Sequence, residues 1–350
     1  MTIHARILGK GLFSCCEPDL TDANGEPVNI EVSAVAWDRR RLVFGSDKNI
    51  PGENRSPVFS MAVDEGHPLE DTLEYYTADV IRSAKKYEDF ALTDDGTHLV
   101  ATTGFDRVNE DDAGRDTYNR LLVWPCRSPD KPQLVAECVN DGVASSVQLR
   151  DHFSAVLGGA PYFKIEGLAS VPGAGGENSD PLLLFGIREV GADHEHFDYV
   201  AKIIGVPYRV AADDSMTLTG SFKLVYEFHP QRCEQVRFKV GLSSLEWDPF
   251  RRRLHLLTSF EVEREKGGKH YGAYLWSLAL EDFRSGQMPK LVMAEENGGA
   301  FEFQNKAEGM AVLPNGALFI VYDPDRKLEI DRQHKRGCNE APYTLVQLLE

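Results

Sequence analysis

The feature that most constrains this chain is that it repeats. Five segments share one pattern: a polar residue, a small one, alternating apolar residues, a tight turn, then a second apolar run. The first is Ser33-Ala34-Val35-Ala36-Trp37-Asp38, turning through Arg39-Arg40-Arg41 into Leu42-Val43-Phe44-Gly45. The second runs from Glu88 to Leu92, turns at Asp94-Asp95-Gly96 and continues as Leu99-Val100-Ala101. The third runs from Glu166 to Ala169 and reaches Leu182 to Gly186 through a Gly-rich turn between Gly173 and Asp180. The fourth, Ser243 to Asp248, repeats the Trp-Asp of the first, again followed by three arginines (Arg251 to Arg253) and a leucine run. The fifth, Glu308 to Val312, turns at Pro314-Asn315-Gly316 into Leu318 to Val321. Period-two alternation on both sides of a short turn is a β-hairpin. Asp95-Gly96 and Asn315-Gly316 are dipeptides that accept the positive φ such turns need.

The units start at 33, 88, 166, 243 and 308, so successive starts lie 55, 78, 77 and 65 residues apart. A four-stranded propeller blade takes roughly 40–50 residues. The units therefore carry insertions, or a degenerate extra blade hides among them. The pattern predicts an all-β fold, a single β-propeller over residues 1–350, with six blades expected and five the alternative. His4 to Phe13 and Tyr343 to Leu349 are expected to close the ring as strands of one shared blade, which removes exposed sheet edges. Short helical insertions are predicted as well. Ser145 to Gly159 places Leu149, Phe153, Val156 and Leu157 on one helical face behind Ser145 or Ser146 as cap. Thr77 to Lys86 is a weaker helical segment, and acidic loops are expected at Asn109 to Asp116 and Asp193 to Asp198.

Charge excludes several functions. Lys and Arg number 38 against 55 Asp and Glu, a net charge of −17. Nucleic acid and anionic membranes are held mainly by excess positive charge, so neither is an expected partner. No apolar run reaches the roughly 18 residues needed to span a bilayer. The first thirteen residues do not read as a secretory signal, and six cysteines without a CxxC spacing read as reduced thiols, so a cytoplasmic protein is expected.

Three units share a longer signature: Lys86-Tyr87-Glu88, Lys164-Ile165-Glu166 and Lys306-Ala307-Glu308. Residues two apart on a strand point to one side, so each unit sets a lysine beside a glutamate where its first strand begins. That strand is the one nearest a propeller's axis, so the pairs are predicted to converge on one mouth of the channel. Converging carboxylates repel unless a cation or the neighbouring lysines neutralise them. Two readings stay open: a structural ring of ions, or a site for a metal or an anion. In the second, Glu88, Glu166 and Glu308 hold a hard cation, calcium above all. Lys86, Lys164, Lys306 and Arg188 then face an anionic ligand, Arg188 through a guanidinium that forks onto phosphate or carboxylate. Asp47, Asp106 and Asp323, at the ends of the second strands, are further polar groups with a claim on the same mouth. The pair His194 and His196 is a weaker transition-metal candidate, outweighed by a solvated acidic loop. No HExxH, nucleophile elbow, P-loop or G-x-G-x-x-G is present.

At these residues the chain resembles the bacterial phytase-like (esterase-like) propeller group and an uncharacterised domain family close to it. The resemblance rests on Ser33 to Trp37 with Gly45-Ser46-Asp47, on Glu88 to Ala91, and above all on the helix at Ser145 to Leu157. That helix leads into Lys164 to Ala169 and Leu184-Phe185-Gly186-Ile187-Arg188. Glu-Gly at the start of a strand is also similar to gluconolactonase-like propellers, where the resemblance implies a calcium-ligating glutamate at Glu166 and Glu308, and by position at Glu88. Together these imply a metal-assisted hydrolase of a small anionic ester, phosphoester or lactone. The competing reading is a non-catalytic propeller that offers its rim to a protein or a small ligand.

Overall fold

The structure, a computed structural model, describes residues 2–109, 114–136, 138–140, 143–175, 179–263, 268–324, 328 and 335–349. The loops expected at Asn109 to Asp116 and at Gly173 to Asp180 lie in part outside these residues. Each repeat unit is the inner hairpin of a sheet. Blade 1 is built from Val32–Trp37, Leu42–Ser46, Val58–Asp64 and His67–Tyr75. Blade 2 comprises Tyr87–Leu92, His98–Thr103, Leu121–Pro125 and Gln133–Leu134. Blade 3 has Tyr162–Val171, Leu182–Gly191 and Phe197–Val210, with two short strands pairing along the last. Blade 4 has Gly241–Asp248, Arg253–Glu263 and Lys269–Ala279, again with short outer strands. Blade 5 combines Ala307–Val312, Ala317–Tyr322 and Glu340–Leu349 with the N-terminal strand His4–Ser14, antiparallel to the last of these. The innermost strands touch in the order 1, 2, 3, 4, 5 and back to 1, which closes the ring.

Period-two alternation explains the packing. On the inner strand of blade 1, Val35 faces blade 5 in a cluster with Phe44, Phe59, Phe319 and Tyr343. Its neighbours Ala34 and Ala36 face blade 2 in a cluster with Phe90 and Trp124. Both faces of each sheet are buried, so the described core falls into five apolar layers, one between each pair of neighbouring blades. The turns follow the sequence closely. Asp38 Oδ1 accepts from the Arg40 and Arg41 amides, and Asp248 Oδ1 accepts from those of Phe250 and Arg251. The shared Trp-Asp is thus a turn signal: its aspartate caps the hairpin. Arg39 and Arg252 take the left-handed backbone conformation there.

A feature repeated in all five blades positions the site. The inner strand carries one extra residue relative to its partner, a β-bulge, at Ser33, Glu88, Glu166, Ser243 and Glu308. These are the five residues with which the sequence units begin. The next residue is Ala34, Asp89, Gly167, Ser244 or Gly309. Four are small because the inner strands crowd together here. A Cβ on Gly309 would lie 2.7 Å from the Ser33 carbonyl oxygen of blade 1 and 2.6 Å from Val321 Cγ2. Gly309→Ala should therefore cost about 2 kcal/mol by forcing blades 1 and 5 apart, read as a lower urea midpoint with unchanged slope. An unchanged midpoint would show that the seam can open without penalty.

The blade count is five, not the expected six. The long spacings hold insertions rather than another blade. Between blades 2 and 3 lie a small hairpin (Cys138–Asn140 with Val143–Ser145) and the helix Leu149–Val156. Between the inner strands of blades 3 and 4 lies the 14-residue strand Phe197–Val210 with its two short partners. The helix buries Leu149 and Phe153 as its periodicity requires, and Phe153 meets Phe105, Phe163, Phe185 and Phe222. Neither serine caps it. Ser146 Oγ donates to the Val135 carbonyl, Ser145 Oγ donates to Asp116, and both hold the insertion to blade 2. The weaker segment forms the short helix Asp79–Ser83. Among the described residues, no helix is long and apolar enough to cross a membrane.

Candidate functional site

The bulge turns Glu88, Glu166 and Glu308 toward the channel mouth at which the inner strands begin. Simple strand alternation does not create the Lys–Glu pairs: Lys86 has a left-handed φ of 66°, and Lys164 lies beside a register shift. Lys164 Nζ bonds Glu166 and lies 3.1 Å from Glu88, so it bridges blades 2 and 3. Lys86 Nζ is 2.6 Å from Asp106 and 3.7 Å from Glu88. Lys306 Nζ is 2.5 Å from Glu308 and 3.5 Å from Asp323. Asp47, Asp106 and Asp323 therefore do reach this mouth. Blade 1 adds two residues the sequence reading missed. Glu31 stands two before Ser33, where blades 2, 3 and 5 have lysine and blade 4 has Gly241, and Lys48 Nζ lies 2.8 Å from it and 3.3 Å from Asp47. Aligning the units two residues upstream of the bulge would have exposed Glu31.

The network is layered. The side chains of Lys48, Lys86, Lys164 and Lys306 keep 39, 23, 12 and 14% of their surface exposed, whereas those of Glu88, Glu166 and Glu308 keep 3, 2 and 3%. The lysine side chains are therefore more exposed than the three glutamates. Arg188 is equally buried, 2% exposed, with Nη1 donating to Glu166 and to Ser259 Oγ and its guanidinium over the Tyr199 ring. The sequence cannot show that this guanidinium is occupied from within.

Burial acts on these acids in two directions. It raises Glu88 to about 7 against the pull of Lys164. It also opposes the ionisation of Glu166, yet Arg188 first, then Lys164 and Lys306, bring that group down to about 2. Glu308 is pushed well up by burial despite Lys306. Oε1 of Glu88 has ammonium neighbours but no aligned hydrogen-bond donor, which leaves it acceptor capacity. Gly104 gives this oxygen room: a Cβ there would lie 3.1 Å from it.

Two further acidic features separate structure from site. Glu31, Asp47 and Asp323 form a set of three carboxylates whose oxygens lie within 4.8 Å of one another, across the seam between blades 1 and 5. Such an all-oxygen set can hold a hard cation. Glu88, Glu166 and Glu308 form no such group among the described residues; they share the mouth and are met by lysines. Asp89 faces across the channel. Its Oδ2 accepts from the Leu168 amide of blade 3 and from the Leu245 amide and Ser244 Oγ of blade 4. The pair His194 and His196 sits on an exposed loop, the second ring bonded to Asp193.

Fold and site define a five-bladed β-propeller whose axial channel opens on a lysine-topped carboxylate network. No protein-family model matches the chain, and no curated protein matches it in sequence. It is similar to several solved structures. One is a DUF4623 family protein from Bacteroides eggerthii, at 9% identity and a TM-score of 0.38, covering 100% of this chain and 77% of that one. Another is the catalytic domain of the Coprinopsis cinerea GH62 α-L-arabinofuranosidase, at 8% identity and 0.43, covering 96% and 95%. A third is a gluconolactonase from Xanthomonas campestris, at 10% and 0.37, covering 96% and 97%.

Proposed function

We propose that the protein binds a small anionic ester, phosphoester or lactone at the lysine-topped mouth and hydrolyses it. The layering of charge supports this reading. A ligand arriving at this mouth meets the side chains of four lysines, from blades 1, 2, 3 and 5, together with Asp47, above the three buried glutamates. Ammonium groups so placed draw in anions and hold their oxygens. Below them Glu88 and Glu166 have opposed proton affinities, the arrangement in which paired carboxylates divide acid and base roles. Glu88 is the base that takes a proton from the attacking water, and Lys164 stabilises charge as it grows on the ester oxygen. Arg188 and Glu166 are positioning residues for Lys164. The same activity is what the resemblance to phytase-like propellers implies.

A divalent cation, calcium by its preference for oxygen ligands, fits Glu31, Asp47 and Asp323 better than the three glutamates, because the oxygens of the first set lie within 4.8 Å of one another and would bind the cation in competition with Lys48 and Lys306. When bound it would polarise the bond under attack.

The test is turnover of a chromogenic phosphoester, a carboxylate-bearing ester and a sugar lactone. Wild-type kcat should rise with pH through about 7, where Glu88 loses its proton. Glu88→Gln should lower kcat by about 100-fold with KM little changed, and Lys306→Met should raise KM. Calcium should raise the melting temperature relative to EDTA, and Asp323→Asn should abolish that shift. If none of the three substrates is turned over and phosphate does not shift the melting temperature, the hydrolase reading fails and the non-catalytic scaffold stands.

A further inference from the structure

The opposite mouth of the channel holds a pocket that the network does not explain. It has a volume of about 470 Å³ and lies where the inner strands end. Ser33 to Trp37 spans about 13 Å of strand, so the two mouths are well separated. The repeated Trp-Asp motif builds it. Trp37 of blade 1 and Trp247 of blade 4 line it, with Phe250 beyond the second turn and Leu92 and Val312 between. Phe250 is 71% exposed, the highest value among the large apolar side chains described as exposed. The aspartates of that motif cap their turns, and the two indoles pack in part against the apolar layers between blades while also lining this common mouth.

Two carboxyls line this pocket, Asp94 from the turn of blade 2 and Glu246 from the inner strand of blade 4, the second beside Trp247. Glu246 Oε1 accepts the Val312 amide, 3.0 Å away, and no lysine or arginine lies within ion-pair distance of it among the described residues. An acid without a cation in an apolar wall is unfavourable unless something compensates it. Burial raises its pKa to about 8. The pocket's one arginine, Arg39, is on the side of blades 1 and 2, where its guanidinium lies against Gly96, away from Glu246 between blades 4 and 5.

We propose that this pocket binds a small ligand with an alkylated ammonium head, the cation paired with Glu246 and its alkyl groups packed against Trp37, Trp247 and Phe250. Aromatic faces attract a cation through their ring quadrupoles and prefer one whose alkyl surface is readily dehydrated. The overall charge of −17 favours a cationic ligand over an anionic one. The site is separate from the lysine-topped mouth and does not depend on hydrolysis there.

Tryptophan fluorescence reads the pocket directly, because the chain's other two tryptophans, Trp124 and Trp276, are buried. The probes are choline and 3,3-dimethylbutan-1-ol, which share a shape and differ in charge. Choline should give a saturable fluorescence change, with the alcohol at least tenfold weaker. Glu246→Gln, which keeps an acceptor for the Val312 amide, should weaken choline at least tenfold and leave the alcohol unchanged. Phe250→Ala, at an exposed position that cannot unfold the chain, should weaken both. Equal binding of the two probes, an unaffected Glu246→Gln, or no saturable signal from either probe would each overturn the proposal.

Discussion

Asp89→Ala should destabilise the protein by about 4 kcal/mol, although the residue touches no ligand. Its carboxylate accepts from two strand amides and a serine hydroxyl on blades 3 and 4, and Asp89 itself is fully buried. Each buried donor left without an acceptor costs about 1–3 kcal/mol, and the alanine leaves three of them around one cavity. Urea titration with an unchanged slope is the measurement. Asp89→Asn keeps one acceptor oxygen and should fall between the two. The penalty should depend on pH. Burial holds the Asp89 carboxyl well above its usual range. Its contribution is therefore complete below the unfolded pKa, near 3.9, and declines as pH rises toward the folded value. The alanine variant should lose more at pH 4 than at pH 8. A loss below about 1 kcal/mol would mean that water takes over all three donors.

Arg188→Met is the second large effect, with the opposite pH slope. Removing one partner of a buried ion pair costs about 3–5 kcal/mol, because the other charge stays buried. Lys164 still bonds Glu166, so the lower end, about 3 kcal/mol, is expected. Glu166 is held near 2, below its unfolded value of about 4.3, so it contributes stability above that pH and loses it as pH falls toward 2. The Arg188→Met penalty should thus be full at pH 7 and shrink below pH 4. Adding Glu166→Gln should restore part of the loss. If the double variant is no better than the single one, Arg188 acts through packing on Tyr199 rather than through charge.

How much of this was legible follows from which physical signals a sequence carries. The five unit starts coincide with the bulge residues, a polar side chain at 33, 88, 166, 243 and 308, followed by a small residue in every blade except the second, where Asp89 stands. Ring closure through His4–Ser14 was legible from strand alternation at both ends of the chain. The blade number was not. A spacing of 78 residues reads the same whether it holds a blade or a helix with a hairpin, and contact between inner strands is what distinguishes them. The convergence of Lys86, Lys164 and Lys306 with three glutamates was also legible. The depth of each group was not: no neighbour in sequence marks that the Arg188 guanidinium pairs with Glu166 inside the fold. Asp89 and Glu246 passed unnoticed because one acid inside a strand pattern looks like an outward-facing residue. Both point to the axis, where no neighbour in sequence marks them.

The pairing of His4–Ser14 with Glu340–Leu349 has a consequence for biosynthesis. Apart from a two-residue parallel pairing with Met293–Ala294, the partner of His4–Ser14 is Glu340–Leu349, so the earlier strand stays largely unpaired until the later one is made. During translation blades 1 to 4 can stack on one another while the outer edge reserved for the final strand stays open. Nascent chains stalled before residue 340 should accordingly engage chaperones or associate edge to edge, and release should be followed by a cooperative snap into the finished ring.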